Sequence, residues 1–364
     1  MVQDYSTALV IYEDRPAYEV GLKLLISSLA TYAPDIAVHV FAPNATADFR
    51  TWLSDRPVTL HDEVPGSSSG FNVKPDVLLW ALAQGYHQAL WLDDDIILTR
   101  PLPPPLLTQP PEVLVAAEIS RTFRTKACVT PWGFSLGRTF PVNLSACCFR
   151  VTQRHRHFLE HWRTLLSSPE YRHWQTQPRD QRPTHMIGSD AVLHALLGSE
   201  TYRSIPIYSL KKGRDIAQCL LPSWYAPARR MMSLVWGVPP LIHAIGLKPW
   251  LPHTSGHRVY QALSPYSCAA RHFKAELGPD TAWLDIPRGW AAWHGLMQGH
   301  PALTTLPFAF TRPSVKQVLK RSLSSLTGSP LTSATSNSAQ APVSKPNASD
   351  GTMASDPAAS KAGK

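Results

Sequence analysis

The first hundred residues alternate between short apolar runs and one longer amphipathic segment. The apolar runs at residues 8–12 and 36–41 are too short for helices and predict β-strands. Residues 18–32 between them place apolar side chains at helical spacing on one broad face, which predicts an amphipathic helix. A strand, a helix and a second strand form a βαβ unit, so the pattern predicts a parallel α/β sheet.

Further elements follow as far as residue 166. Gly85 is expected to end one of the helices, because glycine is the preferred residue just past a helix terminus. The predicted elements are a short helix near 45–53, a helix at 74–84, strands at 90–92, 113–117 and 144–151, and a helix at 154–166.

Three consecutive carboxylates follow the predicted strand that ends at Leu92. In an extended chain alternate side chains share a face, so Asp93 and Asp95 are expected together, with Asp94 opposite. Ligands bind at the carboxyl ends of strands in α/β sheets, and two converging carboxylates there suit a divalent cation. A charged loop after an edge strand is the alternative. Without a cation the three acids would repel one another, which argues against a purely structural protein.

The charge of the chain is positive but diffuse. The 364 residues carry 35 Lys and Arg against 26 Asp and Glu, a net charge of +9. Residues 313–364 hold six Lys or Arg and two Asp, or +4, which leaves +5 for the rest. No basic stripe interleaved with aromatic residues and no nucleic-acid-binding motif is present, so no nucleic-acid partner is expected.

Cysteines and hydropathy predict a compartment. The five cysteines form no CxxC pair, which favours reduced thiols over a disulfide framework or a zinc site. No run approaches eighteen consecutive apolar residues, and residues 1–7 lack the features of a secretory signal. We therefore expect a cytoplasmic protein. A basic amphipathic segment at residues 315–326 adds the hypothesis of a peripheral contact with the inner membrane face.

Two later segments carry candidate chemistry. Asp190 follows Gly188 and Ser189 at the start of a predicted helix, where either Ser189 or Asp190 could cap the helix and Asp190 could instead serve a site. Further on, an apolar run ends in His243. Gly246 follows three residues later, and then the sequence Lys-Pro-Trp begins at Lys248. Taken alone, such a histidine is more often a core residue than a metal ligand.

The aspartate motif and the later His-x-x-Gly-x-Lys-Pro-Trp segment, in this order and spacing, resemble the retaining glycosyltransferases of family 8, which have the GT-A fold. The resemblance implies a Rossmann-like nucleotide-diphospho-sugar transferase fold, with a mixed, mostly parallel central sheet flanked by helices. It spans about residues 8–250. It also implies one GT-A domain over residues 1–312, with a nucleotide-sugar half at about 1–115 and an acceptor half at 116–312. Residues 313–364, rich in Ser, Ala, Thr and Pro, are expected to be mostly disordered.

The resemblance also implies roles for individual residues. Asp93 and Asp95 would be the metal-binding pair of the D-x-D motif, with His243 as the third ligand of Mn²⁺ or Mg²⁺. An imidazole ligand favours Mn²⁺ over Mg²⁺ and has to be neutral to bind, so activity should fall at acid pH. The remaining roles are Gly246 and Lys248 at the diphosphate of a UDP-sugar, Lys74 at the diphosphate or the donor sugar, and Tyr12 and Glu13, with Asp14, at the uridine.

Three features of this chain depart from the family pattern. Only Leu247 separates Gly246 from Lys248, where many members have two residues. Residues 143–148 lack the Asn-Ala-Gly sequence of the donor region. Where relatives often have Asp-Gln-Asp before a helix, this chain has Gly-Ser-Asp, so Asp190 is the one candidate acid there. Asp190 and Lys248 are the two candidate catalytic residues.

The resemblance thus implies a metal-dependent hexosyltransferase that moves a sugar from a nucleotide sugar to a saccharide or lipid-linked acceptor, with retention of configuration. Either the leaving diphosphate helps to deprotonate the acceptor, or Asp190 orients the acceptor or steadies the reacting sugar. Trp283, Trp290 and Trp293 are candidates for stacking on sugars. Two other hypotheses stay open, a non-catalytic nucleotide- or glycan-binding protein and a sugar-phosphate nucleotidyltransferase. The latter would need a glycine-rich phosphate loop after the first strand, which is absent.

Overall fold

The computed structural model describes residues 6–66, 68–119, 124–219, 238–246, 248–251, 265–279 and 281–285. All of them belong to one compact unit, Met1–Lys316. Within this part of the chain no helix is long and apolar enough to cross a membrane. The predictions for the C-terminal tail, for the basic segment at 315–326 and for Trp290 and Trp293 fall outside the described residues.

The strands form a sheet of seven and a smaller sheet of three. The larger sheet has the order β3-β2-β1-β4-β7-β6-β8 and the smaller one the order β5-β10-β9. In chain order the strands are β1 Thr7–Tyr12, β2 Ala37–Phe41, β3 Val58–His61, β4 Gln88–Leu92, β5 Ile96–Leu98, β6 Leu114–Ile119, β7 Asn143–Thr152, β8 Ile207–Leu210, β9 Ile216–Gln218 and β10 Leu241–His243.

The larger sheet is mixed and mostly parallel. β1 pairs in parallel with β2 and β4, β2 with β3, and β6 with β8, whereas β7 runs antiparallel to β4 and β6. Helices cover both faces, and each side has its own apolar core. The α-helices are α1 Glu19–Tyr32, α2 Ala47–Leu53, α3 Lys74–Ala83, α4 Pro105–Thr108, α5 Thr125–Val129, α6 Arg156–Leu166, α7 Pro169–Gln175, α8 Ser189–Gly198 and α9 Pro265–Ala270. The predicted α/β class with a mixed, mostly parallel central sheet flanked by helices is confirmed.

The elements predicted from the apolar pattern are present with small shifts at their ends. The first βαβ unit is β1, α1 and β2, and its strands are parallel as predicted. Gly85 has a backbone φ of 93° just beyond α3, in the left-handed region expected of a helix-terminating glycine. The edge strand β3 was not predicted, because its side chains are only partly buried and its apolar pattern is weak.

The cysteines agree with the expectation of reduced thiols. Each of the five is free and buried, at positions 128, 147, 148, 219 and 268. Their burial among apolar neighbours is typical of cysteines that act as small core residues.

The smaller sheet places His243, the last residue of β10, beside the acids that follow β4. β5 starts directly after those acids and runs antiparallel to β10, with His243 opposite Ile96. The N–H group of Ala244 donates to the backbone carbonyl of Asp95 at 2.9 Å, which extends the pairing by one more bond. A histidine about 150 residues from the acids in sequence is therefore fixed next to them by backbone hydrogen bonds.

His155 gives the fold a defined pH dependence. Its imidazole is buried; Nδ1 accepts from the N–H group of Thr152 at 3.0 Å, and Nε2 lies 3.1 Å from the carbonyl of Glu112. Burial lowers its pKa from the usual 6.5 to about 4. The neutral imidazole therefore makes its full contribution to the free energy of unfolding above pH 6.5. This contribution is lost as the pH falls toward 4, because His155 binds a proton more readily in the unfolded chain than in the folded protein.

We expect His155→Gln to remove this pH dependence. Glutamine can accept the same Thr152 N–H bond in a capping box but does not titrate. Between pH 7.5 and 4.5 the wild type should lose about 2 to 3 kcal/mol more unfolding free energy than the variant. Urea unfolding of both proteins at the two pH values measures this difference, and equal losses would contradict the assignment.

Candidate metal centre and active site

The three acids form a tight turn between β4 and β5. The N–H group of Ile96 donates to the carbonyl of Asp93 at 3.1 Å, so the chain is not extended here. The carboxylates of Asp93 and Asp95 nevertheless converge, as predicted, and Asp94 does not join them. The turn, and not the alternation of an extended strand, brings the two side chains together.

Asp93, Asp95 and His243 form the cluster that could hold a cation. One ligand atom from each residue lies within 4.8 Å of the other two. His243 Nε2 is 3.1 Å from Asp95 Oδ1 and 3.9 Å from Asp93 Oδ2. Metal–ligand bonds of about 2.1 Å at right angles place neighbouring ligand atoms about 3 Å apart, so the spacing fits a single divalent ion. Two carboxylate oxygens and one imidazole suit Mn²⁺.

Two lysines bind the outer oxygens of the same carboxylates. Lys74, the first residue of α3, donates from Nζ to Asp93 Oδ1 at 2.7 Å, and Trp91 Nε1 donates to the same oxygen at 2.6 Å. Lys248 Nζ donates to Asp95 Oδ2 and, at 3.0 Å, to the carbonyl of Ala244. The cluster therefore has a positive charge on each side in the absence of a cation.

These contacts shift the pKa values of the buried groups. Burial would raise the pKa of Asp95, but His243 and Lys248 hold it well below its usual range. Burial opposes the charged forms of Lys74 and Lys248, yet Asp93 raises the pKa of Lys74 and Asp95 raises the pKa of Lys248. Both lysines are thus charged at neutral pH.

Asp94 and His243 respond differently. Burial, and then the charges of Asp95 and Glu13, raise the pKa of Asp94 well above its usual range. For His243 burial acts against the charged form, but Asp95 and Cys147 together outweigh it and raise the imidazole pKa well above 6.5. A cation can bind only a neutral imidazole, so His243 would release its proton on binding the metal.

The loop after β1 lies at the carboxyl end of the strand next to β4. The Tyr12 hydroxyl donates to Asp14 Oδ2 at 2.8 Å and accepts from the N–H group of Gly70 at 3.3 Å. The buried Glu13 carboxylate accepts from the backbone N–H group and the guanidinium of Arg15 at 2.5 to 2.8 Å. Tyr12 and Glu13 are therefore at the expected edge of the sheet, but the Glu13 oxygens are already bonded to Arg15.

Asp190 bonds to strand β7 and does not cap the helix. The residue that precedes α8 is Gly188, and no side chain caps that helix, so the capping hypothesis for Ser189 or Asp190 is wrong. Asp190 instead accepts from Ser145 Oγ at 3.0 Å and from the N–H group of Ala146 at 3.1 Å on β7. The Ala146 carbonyl lies 3.4 Å from Lys74 Nζ, and the Asp190 charge helps to raise the pKa of Lys74.

The residues after His243 bend and pack against the segment that precedes α1. Gly246 has a φ of 85°, which favours glycine at this bend. Trp250 Nε1 donates to the carbonyl of Ala17 at 3.1 Å, which ties this segment to the start of α1. The Trp250 ring packs against three other aromatic rings at centroid distances of 5.8 to 6.3 Å, those of Tyr18, Tyr266 and Trp283. Trp283 is half-buried in this cluster rather than presented as a free stacking surface.

The structure links Lys74 and Lys248 directly to the cluster of Asp93, Asp95 and His243. Asp190 is linked to it through Ala146, which also contacts Lys74. Tyr12 and Glu13 lie at the carboxyl end of the strand next to β4. Gly246 lies three residues beyond His243, and its contact with a ligand stays a prediction. Sequence reasoning missed Arg15, whose guanidinium bonds Glu13 and lies 3.6 Å from the centre of the Tyr18 ring. It also missed Ser145 and Trp91, which orient Asp190 and Asp93. A basic residue directly after two acids at a strand end was the one available signal for Arg15.

Comparisons with known proteins give distant structural likenesses. No protein-family model matches the sequence, and no curated protein matches it. Among solved structures, the galactosyltransferase LgtC, in complex with donor and acceptor sugar analogues, is similar at 15% identity and a TM-score of 0.46, over 78% of this chain and 99% of LgtC. The bifunctional glycosyltransferase WbbM is similar at 13% identity and a TM-score of 0.45, over 69% of this chain. The glycosyltransferase GlyE of Streptococcus pneumoniae TIGR4 is similar at 16% identity and a TM-score of 0.43, over 74% of this chain. This chain spans about half of WbbM, 48%, and 63% of GlyE. At these values the likenesses carry no argument about activity, which has to come from the site itself.

Gly21 tests how closely α1 supports the site. A Cβ atom at Gly21 would lie 2.8 Å from the backbone oxygen of Asp94 and 3.0 Å from the Trp250 ring. Gly21→Ala should therefore lower the unfolding free energy by about 1 to 2 kcal/mol, despite the better helix propensity of alanine. Gly188→Ala is the matched control, because its φ of 168° suits any residue and its Cβ would meet nothing within 4 Å. Chemical unfolding of the two variants measures the difference, and equal stability would contradict the close approach.

Proposed function

We propose that this protein is a metal-dependent glycosyltransferase of the GT-A type that transfers a hexose from a nucleotide sugar, most simply a UDP-sugar, to a saccharide or lipid-linked acceptor with retention of configuration. The observation that carries the proposal is the cluster of Asp93, Asp95 and His243 flanked by Lys74 and Lys248. Carboxylate, imidazole and ammonium groups at the carboxyl edge of an α/β sheet suit a diphosphate with a bound cation.

The chemistry requires stabilisation of a leaving diphosphate. As the bond from the anomeric carbon to the phosphate oxygen breaks, negative charge builds on that oxygen, and groups that meet this charge lower the barrier. A divalent cation held by Asp93, Asp95 and His243 would neutralise charge on the diphosphate. Lys248 is charged and beside the cluster, so it can donate to the diphosphate when it leaves Asp95. Lys74 is held by its hydrogen bond to Asp93, and its positive charge suits contact with the donor.

Asp190 is the candidate for the acceptor side of the reaction. Its two bonds from β7 fix the carboxylate, and each of its oxygens retains further capacity to accept a hydrogen bond. A fixed carboxylate can orient an acceptor hydroxyl or steady the positive charge that develops on the sugar. If the leaving diphosphate itself removes the acceptor proton, Asp190 acts only as a positioning residue.

The nucleotidyltransferase hypothesis finds no support at the loop after β1. A phosphate-cradling loop presents free backbone N–H groups, but here the Arg15 N–H group donates to Glu13 and that of Glu13 donates to Phe41. The non-catalytic hypothesis differs from the proposal only in turnover. It is therefore an outcome of the first test.

The first test measures release of UDP from a panel of UDP-sugars, with Mn²⁺ and with a chelator. We expect release from one donor in Mn²⁺ and none with the chelator. Asp95→Asn should reduce release by at least about 100-fold, because the variant removes a ligand charge. Glu118→Gln, which removes a carboxylate at an ion pair with Lys211, is the control and should retain full activity. Mn²⁺-dependent UDP binding without turnover of any donor would favour the non-catalytic protein, and no metal-dependent binding would overturn the proposal.

Asp190→Asn separates catalysis from donor binding. The amide keeps the shape of the side chain but loses its charge and one acceptor oxygen. We expect kcat to fall by about 100-fold while the affinity for UDP with Mn²⁺ stays within a factor of two. Steady-state kinetics and calorimetry measure the two effects. A parallel loss of UDP affinity would place Asp190 in donor binding and not in the transfer step.

A further inference from the structure

Both oxygens of Asp95 are already bonded. Oδ1 lies 3.1 Å from His243 Nε2, Oδ2 accepts from Lys248 Nζ, and the residue is only 1% exposed. Asp93 is arranged in the same way, with Oδ1 bonded to Lys74 and Trp91 and Oδ2 turned toward His243. A cation between Asp93, Asp95 and His243 would thus use one oxygen of each carboxylate while an ammonium group holds the other.

This arrangement weakens the attraction for a free cation. The two carboxylates that would bind the metal are each neutralised by a lysine in a site with little access to water. A divalent ion entering such a site is repelled by the ammonium on the same carboxylate, and burial makes that repulsion stronger than in water. The affinity for a free ion should rise when one ammonium is removed.

The two lysines differ in how firmly they are held. The Lys74 side chain is 4% exposed, lies 5.1 Å from the centre of the Trp91 ring and is close to the Ala146 carbonyl. The Lys248 side chain is 12% exposed and follows the bend at Gly246. A diphosphate in the site carries more negative charge than the single carboxylate of Asp95, so it can take the Lys248 ammonium.

We propose that Lys248 couples nucleotide binding to metal binding: its ammonium neutralises Asp95 in the free protein and keeps free metal weakly bound, and a bound nucleoside diphosphate draws it away. Metal and nucleotide then bind cooperatively, and each raises the affinity for the other by the same factor. The inference rests on the proposed function for its ligand class, a nucleoside diphosphate. The inference goes beyond the proposed function because it concerns the state of Lys248 before any ligand binds.

Titration of the full chain with Mn²⁺, followed by the electron paramagnetic resonance signal of free Mn²⁺, tests this proposal. For the wild type we expect weak binding alone and with uridine, and binding at least about tenfold tighter with saturating UDP. Direct contact between metal and phosphate would also produce this difference, so the decisive measurement is on a variant. Lys248→Met should bind Mn²⁺ alone at least about fivefold more tightly than the wild type and show a smaller gain with UDP.

Three further proteins complete the design. Lys248→Arg keeps the charge and should resemble the wild type with Mn²⁺ alone. Lys211→Met removes the ammonium that lies 2.6 Å from Glu118 in a surface ion pair and should match the wild type throughout. If thermal unfolding shows that Lys248→Met does not fold, Lys248→Gln, which keeps a donor for the Ala244 carbonyl without the charge, takes its place.

The outcomes separate the inference from the proposed function. Equal affinity of the wild type and Lys248→Met for Mn²⁺ alone, with an unchanged gain on adding UDP, would overturn the coupling and leave the metal centre intact. No Mn²⁺ binding by the wild type even with UDP would overturn the metal centre, and with it the proposed function. Tighter binding in Lys211→Met as well would show a general charge effect and would also overturn the inference.

Discussion

The site depends on compensation of the buried charge of Asp95. A carboxylate that is 1% exposed cannot rely on water, and an unpaired charge in such a place costs several kcal/mol, a large part of the stability of a domain. Here His243 and Lys248 meet its two oxygens. Both arrive from the chain around residues 241–248, so this segment is held in place by charge as well as by backbone pairing.

Backbone pairing supplies the register for that compensation. β10 is only three residues long, yet it pairs with β5 on one side and with β9 on the other. β5 follows the acids after a single turn, so any shift of β10 along β5 would move His243 away from Asp95. The smaller sheet thus connects the D-x-D segment to residues that are distant in sequence, and the packing of Trp250 against Tyr18 adds a contact just before α1.

The sequence was sufficient for the fold class and for the three residues that could hold a cation, but not for their arrangement. Apolar periodicity located β1, α1, β2 and α3, because each buries one consistent face. It could not locate the edge strand β3, whose faces are only partly buried. The convergence of Asp93 and Asp95 was predicted for the wrong reason, since a turn and not an extended strand brings them together.

The contacts that the sequence did not reveal share one physical cause. The helix-start position of Asp190 left a cap and a role in the site both open, and its partners Ser145 and Ala146 lie on β7, more than 40 residues earlier. The pairing of Arg15 with Glu13 changes what Glu13 can bind, and it depends on the conformation of the loop rather than on residue type. Local propensity describes neighbours in sequence, whereas these roles are decided by neighbours in space.

The structure also changes the argument about the three acids. Their sequence suggested repulsion that only a cation could relieve, but Lys74 pairs with Asp93 and Lys248 with Asp95. Among the described residues Asp94 Oδ2 has no hydrogen-bond partner, and its raised pKa favours the protonated, neutral form. The two lysines therefore balance the charges of Asp93 and Asp95 without a metal, so the fold does not need the ion for that balance. In the proposed coupling, metal and diphosphate bind together because the phosphate charge that enters replaces the carboxylate charge that Lys248 would give up.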